Sequence, residues 1–188
     1  VEAGKASYEA ITTAVKLALN NEVTAITTAP INKKSLHLAG HPFPGHTELL
    51  GHLTNSPQVA LMMAGNTMRV VLATTHVPLE QVKSHITQER IQKTIHLTHE
   101  WLTQHVTAVP NIAVTGLNPH CGDGGIFGQE ENEHILPALK AAQTEGIQAS
   151  GPFSADSLFS RSGIEKYDAV ICMYHDQGMI PVKMDSAG

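Results

Sequence analysis

Asn111-Ile-Ala-Val-Thr115 runs straight into Gly116-Leu-Asn-Pro-His120-Cys-Gly-Asp-Gly-Gly125. The first five residues form a β-rich run, short enough for a strand buried in a sheet. The next ten break it with Pro119 and a series of glycines, and they set a histidine just past the strand end. Helical periodicity resumes near Gln129. Buried strand, glycine-rich turn and helix is the order of an α/β sheet, in which ligands gather outside the carboxyl ends of the strands.

Two other stretches share this grammar. Met68-Arg-Val-Val-Leu-Ala73 leads to Thr74-Thr75-His76-Val77-Pro78, and Ala169-Val-Ile-Cys-Met173 leads to Tyr174-His175-Asp176-Gln177-Gly178. If the three strands run parallel, His76, His120 and His175 meet at one edge of the sheet. Three neutral imidazoles with open positions suit a divalent metal site of the catalytic type. The plainer reading makes each a loop histidine bonded to a nearby carbonyl, and it has to be invoked three times. Asp176 adjoins His175, and Asp156 and Asp123 lie in loops that reach the same edge. A carboxylate there orients a ring or serves as a base. His46-Thr47 opens a predicted helix, where amide N–H groups and the dipole favour an anion. Lys183 follows His175 on a piece that reads as extended, placed to bind a phosphate or carboxylate.

Working outward, Tyr8, Ile11, Val15 and Leu19 predict a helix over 5–19. Strands are expected over 23–27 and 58–63, the latter antiparallel to 68–73 through the hairpin-like Ala64-Gly-Asn-Thr67. Helices are expected over 33–39, over 48–53 with Thr47 as N-cap, over 79–86, over 87–105 and over 130–145 despite Pro137. Residues 154–159 read as a helical turn and 179–183 as extended. The predicted fold is layered α/β/α with a mixed sheet.

Composition narrows the function. The net charge of −5 and the absence of a basic run argue against nucleic acid. No apolar run is long enough to span a bilayer, so no membrane partner is expected. Twelve histidines match twelve Lys and Arg together, which favours metal chemistry. Cys121 and Cys172 read as free thiols of a reducing cytoplasm rather than a disulfide. The other histidines, including His85, His96, His99, His105 and His134, read as surface residues. Gly122, Gly124 and Gly128 miss the dinucleotide fingerprint by one residue, and neither a P-loop nor a serine elbow occurs. The chain starts on Val1 and stops soon after the last strand-like run, so it is expected to be the middle of a longer protein.

Pro44-Gly-His-Thr-Glu48, Ala73-Thr-Thr-His-Val-Pro78, the Gly116–Gly125 stretch, Gly151-Pro-Phe-Ser-Ala-Asp156 and Met173-Tyr-His-Asp-Gln-Gly178 share the order and spacing of one enzyme family. Over essentially its whole length the chain resembles the 4-hydroxythreonine-4-phosphate dehydrogenases of pyridoxal phosphate biosynthesis. The resemblance implies an isocitrate/isopropylmalate dehydrogenase-like fold and a homodimer with its metal site at the subunit interface. It implies NAD or NADP without a Rossmann fingerprint, and a divalent metal: zinc, cobalt or magnesium. The matching positions are His76, His120 and His175 for the metal and His46, Thr47 and Lys183 for a small phosphorylated substrate. The general base is left open among Asp156, Asp176 and a metal-bound hydroxide, and no cofactor-binding residue is assigned. The implied reaction oxidises 4-phosphohydroxy-L-threonine to a β-keto acid, which decarboxylates to 3-amino-2-oxopropyl phosphate. Flanks carrying much of the cofactor site would lie outside the chain, which would be the central part of a two-domain dehydrogenase. The alternatives are a sister dehydrogenase of threonate or erythronate 4-phosphate, a three-histidine metal hydrolase, and an inactive core. Cys121 and Asp123 depart from the family's commoner Ala and Glu.

Overall fold

The structure, a computed structural model, describes residues 1–56 and 58–186. The chain forms two compact units, residues 1–59 and 60–188.

The first unit is helical. It contains α1 (Glu2–Leu19), α2 (Lys33–Leu38) and α3 (His46–Leu53). Ile11, Val15 and Leu49 are buried together, while Leu19, expected to face inward, is 58% exposed at the last turn. The Asn32 side chain caps α2 by accepting from the Ser35 amide. The strand expected over 23–27 does not form. A strand needs a partner for its amides and carbonyls, and among the described residues this stretch has none in a sheet. Thr47 is not the N-cap of α3 either. The helix starts at His46, two residues earlier than expected, with Gly45 as N-cap and no side chain on its first amides.

The second unit is built on β1 (Leu61–Ala64), β2 (Arg69–Leu72), β3 (Asn111–Thr115), β4 (Gln148–Phe153) and β5 (Ala169–Cys172), ordered β1-β2-β5-β3-β4. The β1–β2 pair is antiparallel, as the hairpin-like turn predicts, and the other pairs are parallel. The helices are α4 (Leu79–His85), α5 (Gln88–His105), α6 (Leu136–Thr144), α7 (Ala155–Leu158), α8 (Arg161–Ile164) and α9 (His175–Ser186). Alternate strand residues serve opposite faces. Val71, Val114 and Ile171 pack with Val82, Ile91, Ile95, Leu102 and Leu139 of α4–α6. Val70, Leu72, Ala113 and Val170 pack with Leu158, Ile164, Met179 and Val182 of α7–α9. The layered α/β/α arrangement with a mixed sheet follows from these two apolar faces.

Two elements differ from the reading of the sequence. Strand β4 was not expected, because Gly151-Pro152 reads as a turn. It pairs with β3 at the sheet edge, where a proline removes no ladder bond. A Cβ at Gly151, where φ is +133°, would lie 2.3 Å from the Val114 carbonyl oxygen, so the close pairing requires glycine. Residues 179–183 are not extended but lie within α9. Met179 and Val182 cover the sheet, and a Cβ at Gly178 would meet Val70 Cγ1 at 2.5 Å. This burial overrides the β propensity of the run and the presence of Pro181. Lys183 therefore lies about 12 Å along the helix axis from His175, not roughly 26 Å along a strand.

Candidate functional site

The carboxyl ends of β2, β5 and β3 open on one edge, because these neighbouring strands are parallel. At that edge the rings of His76 and His175 lie 5.5 Å apart, tilted by 42°. His175 is the first residue of α9, and its Nδ1 is 2.7 Å from Asp176 Oδ1. A carboxylate on one ring nitrogen fixes the tautomer and leaves the other nitrogen for a ligand.

His120 lies apart from this pair. It sits in the turn Pro119–Gly125, within electrostatic reach of Asp156. The Ser154 hydroxyl donates to Asp156, which also accepts from the Ser157 amide. These bonds, the hydroxyl first, hold the Asp156 carboxyl below its ordinary range. Among the described residues no three His, Cys, Asp or Glu side chains gather closely enough to hold a metal ion. The donor chemistry fits a borderline divalent cation. The structure brings together two of the three expected ligands and places the third on the neighbouring strand end.

The turn carrying His120 is left-handed. His120, Cys121 and Asp123 have φ of 50°, 55° and 43°, and Gly122, Gly124 and Gly125 share the positive sign. Each non-glycine residue there costs about 1–2 kcal/mol. A buried carboxylate beneath holds the turn. Glu131, 2% exposed, accepts from the Leu117 amide at 2.8 Å, the Asn118 amide at 2.7 Å and Asn118 Nδ2 at 3.0 Å. Asn118 Nδ2 also donates to Glu130 Oε2 at 2.7 Å. Burial, and then the nearby Glu131 charge, pushes the Cys121 thiol up.

Glu130 is buried and pairs with the largely exposed Lys83 of α4. That bond, ahead of the one from Asn118, lowers its carboxyl to about 2. A depressed carboxyl stabilises the fold above its unfolded pKa, near 4.3, and the gain is lost as pH falls toward about 2. Lys83→Met is therefore expected to lower stability at pH 7 and to flatten the acid-side loss. Urea midpoints of both proteins from neutral pH down to about pH 2 measure this. Parallel curves would refute the assignment.

Glu130, Glu131 and Gln177 were not singled out in the sequence. A signal was present for Glu131. It falls on the stripe that Ile135, Ala138, Leu139 and Ala142 turn inward, so a charge there marks a buried carboxylate needing donors. A single π turn, Glu131–Ile135, precedes α6 and absorbs Pro137. His99 also departs from expectation, since its Nδ1 is buried without a hydrogen-bond partner.

In the first unit, His46 and Thr47 are the first two residues of α3. The helix amides there carry no side-chain cap, and the buried His46 Nε2 finds no partner. Both features suit an anion. Lys183 is exposed on α9. In the second unit a cleft of about 650 Å³ runs along α9, lined by Asp156, Phe159, Tyr174, Asp176, Gln177 and Ile180, among others. No described helix is long and apolar enough to cross a membrane.

The pyridoxal phosphate biosynthetic protein PdxA family profile matches residues 1–188. The 4-hydroxythreonine-4-phosphate dehydrogenase of Desulforapulum autotrophicum is 52% identical over 96% of this chain and 54% of its own length. The D-threonate 4-phosphate dehydrogenase of Cupriavidus necator is 44% identical over 97% of this chain and 55% of its own. The crystal structure of the Klebsiella pneumoniae 4-hydroxythreonine-4-phosphate dehydrogenase superposes with a TM-score of 0.91 at 42% identity, covering 96% of this chain and 55% of that one. The chain thus spans about half the length of the curated relatives it matches, and its fold is the isocitrate/isopropylmalate dehydrogenase-like one. Strand-end histidines, a mixed sheet and a family profile that matches residues 1–188 converge on one assignment: the chain belongs to the pyridoxal phosphate biosynthetic protein PdxA family.

Proposed function

We propose that the protein carrying this chain oxidises a small phosphorylated hydroxy acid, passing hydride to NAD or NADP, at a divalent metal held by His76, His120 and His175. The carrying observation is the His76–His175 pair at the shared edge of parallel strands, with Asp176 on the second nitrogen of His175. A divalent ion bound there would supply Lewis acidity, lowering the pKa of the substrate alcohol.

The chain's own residues do the rest. In the first unit His46 and Thr47 would bind a phosphate or carboxylate on the uncapped amides of α3; in the second unit Lys183 would bind an anion as a point charge. Asp176 orients His175. The exposed carboxylates Asp156 and Asp176, which both line the cleft along α9, are the two candidates on this chain for taking the alcohol proton. A bound nicotinamide would accept the hydride, and the β-keto acid left behind would lose its carboxylate as carbon dioxide. Ile126 and Phe127, 76% and 51% exposed beside the His120 turn, support a homodimer whose interface includes this loop. Two unpaired thiols support a reducing, cytoplasmic setting.

The substrate we propose is 4-phosphohydroxy-L-threonine, which would yield 3-amino-2-oxopropyl phosphate. The Cupriavidus relative supports a second reading, threonate 4-phosphate or its erythronate isomer. Full-length protein assayed with both substrate types, with each nicotinamide, and with and without chelator decides between them. We expect chelator-sensitive reduction of the nicotinamide with one substrate class. No reduction with either, after zinc or cobalt is restored, overturns the proposal. A chelator-sensitive hydrolysis without nicotinamide would assign a metal hydrolase instead.

A further inference from the structure

We propose that Gln177 is a positioning residue that sets the separation between the two strand ends bearing His120 and His175. The inference rests on the metal-site reading above and concerns what holds that site's two halves in register.

β3 and β5 are neighbours, yet beyond them the chain leaves in opposite directions. After β3 it passes to α6, which packs on the Val71, Val114 and Ile171 face. After β5 it enters α9, which packs on the Val70 and Val170 face. Adjacent strands whose connections diverge leave a crevice at their carboxyl ends, the usual place for a ligand. The β3–β5 register ends at Val114 and Ile171.

Past that point each strand end is tied to its other neighbour. The Ala73 amide donates to the Cys172 carbonyl at 2.8 Å, and the Thr74 hydroxyl donates to the Met173 carbonyl at 2.7 Å. These bonds join the His76 and His175 ends. The Gly116 amide donates to the Phe153 carbonyl at 2.8 Å, which joins the His120 end to β4.

Gln177 spans the gap between the two sides. Its Oε1 accepts from the Thr115 hydroxyl at 2.7 Å and from the Met173 amide at 2.7 Å. Its Nε2 donates to the Gly116 carbonyl at 2.8 Å. One amide thus takes over where the ladder stops, with an acceptor facing both strands and a donor facing the His120 side. A further cross-gap contact is weaker, the Thr115 hydroxyl lying 3.3 Å from the Ile171 carbonyl. His76 and His175 belong to one side of the crevice and His120 to the other, so the length of the Gln177 side chain determines how far apart the two sides stand. Gln177 touches none of the three rings and acts through the backbone that carries them.

The test uses the full-length protein with Gln177→Leu, which keeps bulk and removes all three bonds, and Gln177→Glu, which keeps the acceptor and loses the donor to Gly116. Co²⁺ affinity by chelator competition and the visible Co²⁺ spectrum report on ligand geometry. Amide hydrogen exchange reports on the strand ends without any metal. We expect Gln177→Leu to weaken Co²⁺ about tenfold or more, to change the spectrum, and to expose the Met173 amide while those of Val114, Gly116 and Ile171, bonded elsewhere, stay protected. Gln177→Glu should fall between. Lowered thermal stability with unchanged Co²⁺ affinity and spectrum would show an ordinary structural role and overturn the proposal. If the wild-type protein binds no Co²⁺, the metal reading fails and exchange alone decides. Selective exposure of Met173 then supports the brace, and unchanged or uniform exchange overturns it.

Discussion

Replacing His175 by alanine in the full-length protein is expected to lower kcat/KM by about a thousandfold, roughly 4 kcal/mol of barrier, and to release the metal. His175 is at the first turn of α9, its ring faces His76 at 5.5 Å, and Asp176 occupies its Nδ1. Alanine removes one donor and leaves the rest of the edge intact. The ring is more than a third exposed, so the fold should survive. Asp176→Asn separates ligation from orientation. It keeps the side-chain size but weakens the hold on Nδ1, and is expected to cost about 10–100-fold in metal affinity. Metal content after dialysis, nicotinamide reduction and the thermal midpoint are the three measurements. Full metal content and activity in His175→Ala would remove the histidine site from consideration.

The second large effect is on stability. Glu131→Ala is expected to destabilise the second unit by roughly 3–5 kcal/mol, because buried donors lose their shared acceptor. The amides of Leu117 and Asn118 and the amide group of Asn118 all point at this carboxylate. Added Cβ atoms at Gly116 and Gly122 would lie 3.1 Å and 2.8 Å from its oxygens, which shows how closely the turn is pressed onto it. Without Glu131, little offsets the left-handed conformations of His120, Cys121 and Asp123. Glu131→Gln keeps one acceptor oxygen but turns an N–H₂ group toward the donors, so an intermediate loss is expected. Each kcal/mol shifts the thermal midpoint of a unit this size by about 4 °C, so calorimetry reads the difference directly. A variant within about 1 kcal/mol of the wild type would refute the role given to Glu131.

The parallel strands around the candidate site were legible in the sequence. Three apolar runs, each ending in a loop histidine, marked three strands and placed their imidazoles at one edge if the strands were parallel, and they are. Strand β3 matches its predicted bounds, and Thr87 caps α5 by accepting from the Arg90 amide. Signals of this kind are local. A five-residue apolar run or a capping threonine carries its meaning within a few neighbours.

What failed was set by distant partners. Residues 23–27 have β propensity but no sheet neighbour among the described residues, and Gln148–Phe153 has a turn-like sequence but an edge position beside β3. Met179 and Val182 form a helix because the sheet face under α9 is apolar and Gly178 allows close approach. The acceptor role of Glu131 joins residues 13 and 14 positions apart, and two of the three bonds of Gln177 join residues 61 and 62 positions apart. The sequence by itself determined strands β1, β2, β3 and β5, most of the helices and the histidines at three strand ends. The tertiary structure alone decided which two histidines face each other, where Lys183 lies, and which buried carboxylate and amide hold the edge in shape. Those outcomes depend on burial and on hydrogen bonds across the sheet, which exist only once the layers have packed.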